Sequence, residues 1–530
     1  MTAPGDPVPT VSELLLARAD DANPGLAFED QRWSWKDQVR ECADRAALLR
    51  SLRRPGPFHV GVLLDNVPEF SFLLGGAALA GAVLVGLNTS RRGEALVRDV
   101  RLADCQVVIT ESRYVELLQG LDIGARVLDI DSPAWHVMAY RHQYSPLEVA
   151  PATPDDLLML IFTSGTSGDP KAVRVTHHKV AQPGVLLASR YGLAAGDTCY
   201  VAMPMFHSNA IMAGWAVGLA AGAQLALRRR FSASCFLPDV RAFGVTYANY
   251  VGKPLSYVLS TPPEPDDASN PLKVMFGNEA NPRDVEAFSR RFGCVVVDAY
   301  GSTEGGITVA RPPGTPAGSL GRLDEHLAVL DPDTGAECPP DAVGELVNTG
   351  GAGMFAGYYN EPDNERLHDG KFWSGDLVYR DEQDFLWFVG RTSEWLRVDG
   401  ENLGTAPIER VLLRHPSVAE AAVYAVPDAS VGDQVMAALV YRGDFDPEEF
   451  ASFLKAQPDL GPKQVPRFLR VTARLPRTAT FKVLKRTLSA QRWRTPDPVW
   501  WRPEQALEYE PLTPSSDPIR LDWGARSVRP

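Results

Sequence analysis

Six short, predominantly apolar runs punctuate the first 300 residues: HVGVLLD (59–65), VLVGL (83–87), CQVVIT (105–110), LLMLIF (157–162), CYVAM (199–203) and CVVVDAY (294–300). They lack the in–out alternation of a half-solvated sheet, so each must be covered on both faces. That is the condition of strands in parallel sheets flanked by helices. The stretches between them, such as KDQVRECADRAALLRSL (36–52) and PRDVEAFSRRFG (282–293), carry helical periodicity. Two textures alternating in this way predict layered α/β structure. A chain of 530 residues exceeds one ordinary core, so two or more domains are expected.

One segment tests that reading. FSFLLGGAALAGAVLVGL (70–87) has Ser71 as its only polar residue and reaches the lower limit for a membrane span. Gly81 separates an Ala/Leu-rich half from a Val/Leu-rich half, which predicts a buried helix, a turn and a buried strand, with no transmembrane span. Farther along, DPDTGAECPPDAVGELVNTGG (331–351) reads as short strands and hairpins. Beyond about residue 390 a compact pattern of helices and strands follows: TAPIERVLLRH (405–415), VAEAAVYAVPD (418–428), DQVMAALVYR (433–442), DPEEFASFLKA (446–456) and RFLRVTARLP (467–476). This predicts a separate α+β domain of about 100 residues. The Pro- and Trp-rich end, from PDPVWWRPEQ onward, reads as an irregular tail.

Composition excludes some roles. A net charge of −13 disfavours nucleic-acid binding, which needs a basic face. The short basic runs, Arg53-Arg54 and Arg228-Arg229-Arg230, read as solvated rims beside apolar residues. The six cysteines are scattered singly, without a CxxC pair, so neither a zinc site nor a disulfide framework is expected. MTAPGDPVPT lacks a basic n-region and an apolar h-region, and a cytoplasmic protein is expected.

The chemistry begins at LIFTSGTSGDPKAVRVTHH (160–178). Hydroxyls, glycines and a lysine behind an apolar strand suit a phosphate cradle, because N–H groups and hydroxyls of a glycine-rich turn form an anion nest. Walker A spacing fails, since Pro170 precedes Lys171 and Ala172 follows it. AYGSTEGG (299–306) puts Thr303 and Glu304 just after another apolar run, where a carboxylate can hold Mg²⁺ together with substrate phosphates. FWSGDLVYRDEQDFLWFVGRTSEWLRVDGENLG (372–404) adds Asp376, an acceptor suited to ribose hydroxyls, and Arg391; PRTATFKVLKR (476–486) adds Lys482.

In this order and spacing, TSGTSGDPK, YGSTEGG, SGDL, GR and FKVLKR resemble the adenylate-forming superfamily of acyl-CoA synthetases, adenylation domains and luciferases, from about residue 30 to 490. NTSRRGEAL (88–96), YVGKPLSYVL (250–259), GNEANPRDVEAF (277–288), VDGENLGTAPIE (398–409) and WWRPEQALEYEPLTP (500–514) are similar to its fatty-acid-transport-protein and very-long-chain acyl-CoA synthetase branch, in particular to actinobacterial fatty-acid–CoA ligases. The resemblance implies a large N-terminal domain (1–391) of layered α/β sheets with a small β-barrel-like subdomain, a small mobile α+β C-terminal domain (392–490) and a tail (491–530). It implies ATP, Mg²⁺ and coenzyme A, a carboxylic acid that attacks the α-phosphorus of ATP, and a thiol that displaces AMP from the acyl-adenylate.

Residue by residue, the resemblance implies that Thr163, Ser164, Gly165, Thr166 and Gly168 wrap the β- and γ-phosphates, with Lys171 assisting. Glu304, with Thr163, would hold Mg²⁺, and Thr303 would bond the α-phosphate. Gly277, Asn278, Glu279 and Tyr300 would frame the adenine, and Asp376 and Arg391 the ribose. Lys482 would bridge the acyl carboxylate and the α-phosphate, Ser393 would be the hinge, and the Gly400 loop would line the pantetheine tunnel. His207 of PMFHSNA would gate the acyl pocket, with Trp215, Tyr250, Val251 and Gly252 on its wall, although a packed histidine at a strand end fits His207 equally. Ser393 stands where most relatives carry Asp or Lys, and Phe481 where glycine is usual.

Several readings stay open from sequence: a fatty acyl-AMP ligase that loads a carrier protein, a ligase for a sterol side-chain or aryl acid, and a non-enzymatic lipid transport or scaffold protein. Peripheral membrane contact, the oligomeric state and the chain length of the acid are likewise open.

Overall fold

Each of the six apolar runs becomes a strand of one of two sheets. The computed structural model describes residues 9–164, 170–311, 314–361, 366–392, 396–398, 401–428, 432–478, 483–502 and 507–513. The chain forms two units, Met1–Leu327 with Asn348–Trp373 and Ala328–Val347 with Ser374–Pro530.

The first unit holds both of these sheets. Seven strands run in the order Val295–Asp298, Val274–Asn278, Tyr247–Val251, Thr198–Val201, Gln224–Leu227, Pro24–Phe28 and Gln31–Ser34. All neighbours are parallel except the final hairpin. Six strands form the other sheet, in the order Arg126–Asp129, Cys105–Thr110, His59–Leu63, Val83–Gly86, Leu157–Ser164 and Pro170–Thr176, again parallel except for the last pair.

Residues 70–87 resolve as expected: helix Pro68–Ala80 is followed by Gly81 in the left-handed conformation (φ 66°) and then strand Val83–Gly86. Residues 70–80 are buried on every side of that helix, which explains its lack of an amphipathic pattern. Among the described residues no helix is long and apolar enough to cross a membrane.

The basic run at 228–230 lies at a partly solvated rim, with the Arg230 side chain 64% exposed, and each of its arginines is also paired. Arg228 pairs with Asp239 at 2.9 Å, Arg229 with Glu111, and Arg230 with Asp65 at 3.1 Å. Asp65 and Glu111 are buried, and a buried carboxylate requires a charged or hydrogen-bonding partner. Their need, set by packing over 100 residues away, anchors Arg229 and Arg230 at that rim.

Strands Phe385–Arg391, Lys371–Arg380, Gly344–Asn348 and Leu327–Leu330 lie side by side in another sheet. A further sheet runs Glu401–Leu403, Leu396–Val398, Gly432–Tyr441, Phe468–Val471, Val499–Trp501 and Glu510–Pro511, with Val418–Asp428 also on Gly432–Tyr441. Ile408 and Leu412 of helix Thr405–Leu412 and Phe450 and Leu454 of helix Pro447–Lys455 build its core. The segment expected to be irregular supplies the last two strands. Trp500 packs 5.7 Å from Phe445, and the buried Tyr509 donates its hydroxyl to the Pro466 carbonyl at 2.7 Å. Aromatic residues outweigh the prolines there, because burying them against the sheet edge orders the chain.

Candidate active site

In the seven-stranded sheet, Thr198–Val201 lies between Gln224–Leu227 on one side and Tyr247–Val251 on the other. The chain leaves this strand in one direction and then returns on its opposite side. Loops from the carboxyl ends diverge at such a reversal and leave a crevice, the usual ligand site of parallel sheets. The segments singled out in sequence sit around it: residues 204–210 after one strand, Val251 and Gly252 at the end of the next, and Thr303 and Glu304 after Val295–Asp298.

Hydrogen bonds close the rim. The Asn209 side-chain amide donates to the Tyr250 carbonyl at 3.1 Å, and Asn249 Nδ2 donates to Asn209 Oδ1 at 2.6 Å. Ser208 and Thr303 share a hydroxyl–hydroxyl bond of 2.9 Å. From the end of strand His59–Leu63 in the other sheet, Asn66 bonds the Met203 carbonyl and the Met205 N–H, each at 2.8 Å. The carboxyl ends of both parallel sheets are thereby joined beside the crevice.

The turn bearing Glu304 is fastened at each residue. Thr303 is bonded to Ser208. The Glu304 carboxylate accepts from the Tyr358 hydroxyl at 3.2 Å, and its carbonyl accepts from Lys179 Nζ at 2.5 Å. The Gly305 carbonyl accepts from the Met354 N–H at 3.0 Å, and the Gly306 carbonyl from Asn348 Nδ2 at 2.8 Å. Gly305 has φ 68°, which favours glycine. Burial holds the Lys179 ammonium down at about 7, against the opposing pull of Glu304, and burial raises the Tyr358 hydroxyl.

Strands Leu157–Ser164 and Pro170–Thr176 form a hairpin whose register sets Thr163 opposite Lys171. The Lys171 ammonium lies 3.0 Å from Glu361 and 5.0 Å over the Tyr358 ring. Gly165, Thr166 and Gly168, together with the Ser164 side chain, lie outside the described residues, as do Ser393, Gly400 and Lys482.

The residues assigned to adenine end adjacent strands. At Gly277 a Cβ would sit 2.2 Å from the Tyr250 carbonyl oxygen, so only glycine fits. Glu279 has φ 64°, a conformation that costs a non-glycine residue about 1 kcal/mol or more. Beneath it, Asp298 Oδ1 accepts from the Ala280 N–H at 3.0 Å and from the Tyr250 hydroxyl at 2.9 Å. Burial raises the Asp298 carboxyl to about 6. Tyr300 follows two residues later, beyond the strand end.

Around the expected acyl pocket, His207 packs 4.5 Å from the Phe206 ring. Burial pushes its imidazole down to about 4, so it is neutral at pH 7, and among the described residues its Nε2 has no hydrogen-bond partner. Trp215 ends the π-helix Ile211–Trp215, is 1% exposed, and donates Nε1 to Ser71 Oγ at 2.8 Å, so its polar edge points into the helix layer.

In the second unit, Asp376 and Arg391 face each other across two antiparallel strands, with Arg391 Nε 3.3 Å from Asp376 Oδ1. Asp376 is buried, and its N–H donates to Ser374 Oγ at 3.0 Å.

The donor set at the Glu304 turn fits Mg²⁺. It offers hard oxygens, one carboxylate with a single side-chain bond among the described residues, and neighbouring hydroxyls. Among the described residues no three His, Cys, Asp or Glu side chains converge as an all-protein cage. One carboxylate completed by substrate phosphates is the usual arrangement for this ion.

Sequence reasoning missed Lys179, Ser208, Asn348 and Tyr358. The lysine in THHKVA had a faint signal, a charge on the buried face of a helix, and Ser208 lay unremarked inside PMFHSNA. Nothing local marks Asn348 or Tyr358.

Residues 17–359 match the AMP-binding enzyme family, and residues 407–482 match the AMP-binding enzyme C-terminal domain. The chain is 54% identical over 497 residues to the medium/long-chain-fatty-acid–CoA ligase FadD17 of Mycobacterium marinum, covering 93% of this chain and 98% of that protein. It is 46% identical over 533 residues to the steroid-22-oyl-CoA synthetase of Rhodococcus jostii, covering 96% of each. ATP-bound MatB from Rhodopseudomonas palustris shares the fold, with a TM-score of 0.82 at 22% identity over 91% of this chain and 99% of that one. By its motifs, its fold and these matches, the chain belongs to the AMP-binding enzyme family, the adenylate-forming superfamily.

Proposed function

We propose that the protein is an ATP-dependent acid–CoA ligase for lipid carboxylic acids, which forms an acyl-adenylate and then a CoA thioester. The observation that carries this reading is the fastened Thr303–Glu304 turn at the reversal crevice, in a chain 54% identical to a fatty-acid–CoA ligase along nearly its whole length. Adenylation joins two anions, so its catalysis is chiefly positioning and charge stabilisation.

Thr303 bonds the α-phosphate, while Glu304 and Thr163 are the residues to hold Mg²⁺, which when bound neutralises phosphate charge. Thr163, Ser164, Gly165, Thr166 and Gly168, with Lys171, grip the β- and γ-phosphates. Gly277, Asn278, Glu279 and Tyr300 frame the adenine, and Asp376 and Arg391 the ribose. Lys482 bridges the carboxylate and the α-phosphate. His207, being neutral, sits beside the acyl carboxylate without binding it as a cation. Tyr250, Val251 and Gly252 border the acyl group, and Trp215 supports that wall from behind. The boundary at 391/392, with Ser393 as the hinge and the Gly400 loop on the pantetheine path, separates the two half-reactions. The cytoplasm, which supplies ATP and CoA, is the proposed location.

A second reading is a ligase for sterol side-chain acids, favoured by the 46% identity to a steroid-22-oyl-CoA synthetase. An acid panel tests both: short to very long chains and sterol side-chain acids, read as AMP release with and without CoA. Thioester formation from medium- and long-chain acids is expected. Preference for the sterol acids would replace the first reading with the second. AMP release that ignores CoA and requires a carrier protein would overturn both.

A further inference from the structure

We propose that Lys179 is a positioning residue for adenylation, whose ammonium holds the Glu304 carbonyl and so fixes the turn that presents Thr303 and Glu304 to the triphosphate and its cation. The inference rests on the functional reading above and assigns a role to a residue outside its motifs.

Lys179 stands in the first turn of helix His177–Arg190, where its N–H donates to the N-cap hydroxyl of Thr176 at 3.2 Å. This helix directly follows strand Pro170–Thr176, the second arm of the hairpin at the phosphate loop. Lys171 and Lys179 therefore stand on one continuous strand–helix segment: the first beside the expected phosphate site, the second reaching Glu304.

The side chain is buried, at 1% exposed. Its stem passes so close to Gly305 that a Cβ there would lie 3.0 Å from Cε. Nζ bonds the Glu304 carbonyl at 2.5 Å and lies 6.0 Å from the centre of the Phe355 ring. A methionine would fill the stem's volume without burying a charge, so packing alone does not account for an ammonium here.

What the ammonium adds is a directed bond to one backbone oxygen. Glu304 is then held at two points, its carbonyl by Lys179 and its carboxylate by Tyr358, while Ser208 holds Thr303. Groups that must meet a transferring phosphoryl have little positional tolerance, and supporting bonds of this kind set it.

The test is Lys179→Met, with the half-reactions measured separately. Three changes are expected: a ~10-fold fall in the turnover of acid-dependent ATP–pyrophosphate exchange, a ~10-fold rise in the Mg²⁺ concentration for half-maximal exchange, and a ~10-fold weaker calorimetric affinity for MgATP, the range of one lost charge-assisted hydrogen bond. The KM for the acid, and thioester formation from saturating supplied acyl-adenylate, should stay within about twofold. Equal losses in both half-reactions, or an unchanged Mg²⁺ dependence, would overturn the proposal. Should the methionine variant fail to fold, Lys179→Arg keeps the cation but displaces its donor, and the same split is expected at ~3-fold; its absence is equally decisive. A wild-type protein without acid-dependent exchange would instead defeat the functional reading itself.

Discussion

Glu304 and Asp376 are acidic residues placed by opposite means. Asp376 stands within the strand Lys371–Arg380, and ladder register sets it opposite Arg391. Glu304 stands in a turn outside any ladder, held by side chains from residues 179, 208, 348 and 358 and by the backbone of Met354. A strand residue inherits its position from neighbours that are close in sequence. A turn residue acquires it from partners far along the chain, and each partner is a separate point of failure.

The largest predicted effect separates the two acids. Glu304→Gln should slow acid-dependent ATP–pyrophosphate exchange by ~10²–10³-fold, the loss typical of a removed electrostatic stabiliser. Comparable ATP binding with undiminished exchange in that variant would break the contrast. Lys482→Ala should lower the same rate by ~10² or more, since a charge bridging the carboxylate and the α-phosphate, the role proposed for it, matters most in the transition state. Asp376→Asn should act mainly on binding, raising the KM for ATP by ~10-fold with a smaller change in turnover, as for one hydrogen bond to a charged group. A turnover collapse there would place Asp376 at the reacting centre.

A support residue should show less. Ser208→Ala removes the bond to Thr303 and should slow exchange by only ~3–10-fold, since one neutral hydrogen bond contributes about 1 kcal/mol.

The smallest effect concerns a third acid, Asp298, and is read in stability. Burial raises its carboxyl to about 6 from an ordinary value of 3.8, so between those values the folded state holds more protons than the unfolded one. Its contribution is therefore most favourable below about pH 4 and is lost as pH rises through 6. Asp298→Asn, neutral at every pH and still able to accept from Tyr250, should raise Tm by a few degrees at pH 8, about the shift for a kcal-scale gain in a large unit, and by nothing near pH 4. A pH-independent change in melting would refute the buried-acid account.

Much of this was legible in the sequence because it rests on local pattern. The apolar runs gave the parallel strands, Gly81 gave the break after helix Pro68–Ala80, and YGSTEGG and SGDL lay where their acids are found at the crevice turn and the strand. What was not legible depends on distant packing. Arg229 and Arg230 are partly solvated, as their segment suggests, but nothing in that segment shows that they also anchor to the buried Glu111 and Asp65. The strand Val499–Trp501 was hidden by its prolines, because the sheet edge it covers is built from residues 468–471. Lys179 and Tyr358 carry no motif, since their role exists only once two remote segments meet at Glu304.

On the proposed function, Glu304 serves adenylation, and the thioester step does not need its carboxylate. The direct measurement is the ratio of two rates in Glu304→Gln: acid-dependent ATP–pyrophosphate exchange, and CoA thioester formation from supplied acyl-adenylate. The first is expected to fall by ~10² or more while the second stays within about twofold of the unsubstituted protein. Equal losses in both rates, or intact exchange, would contradict it.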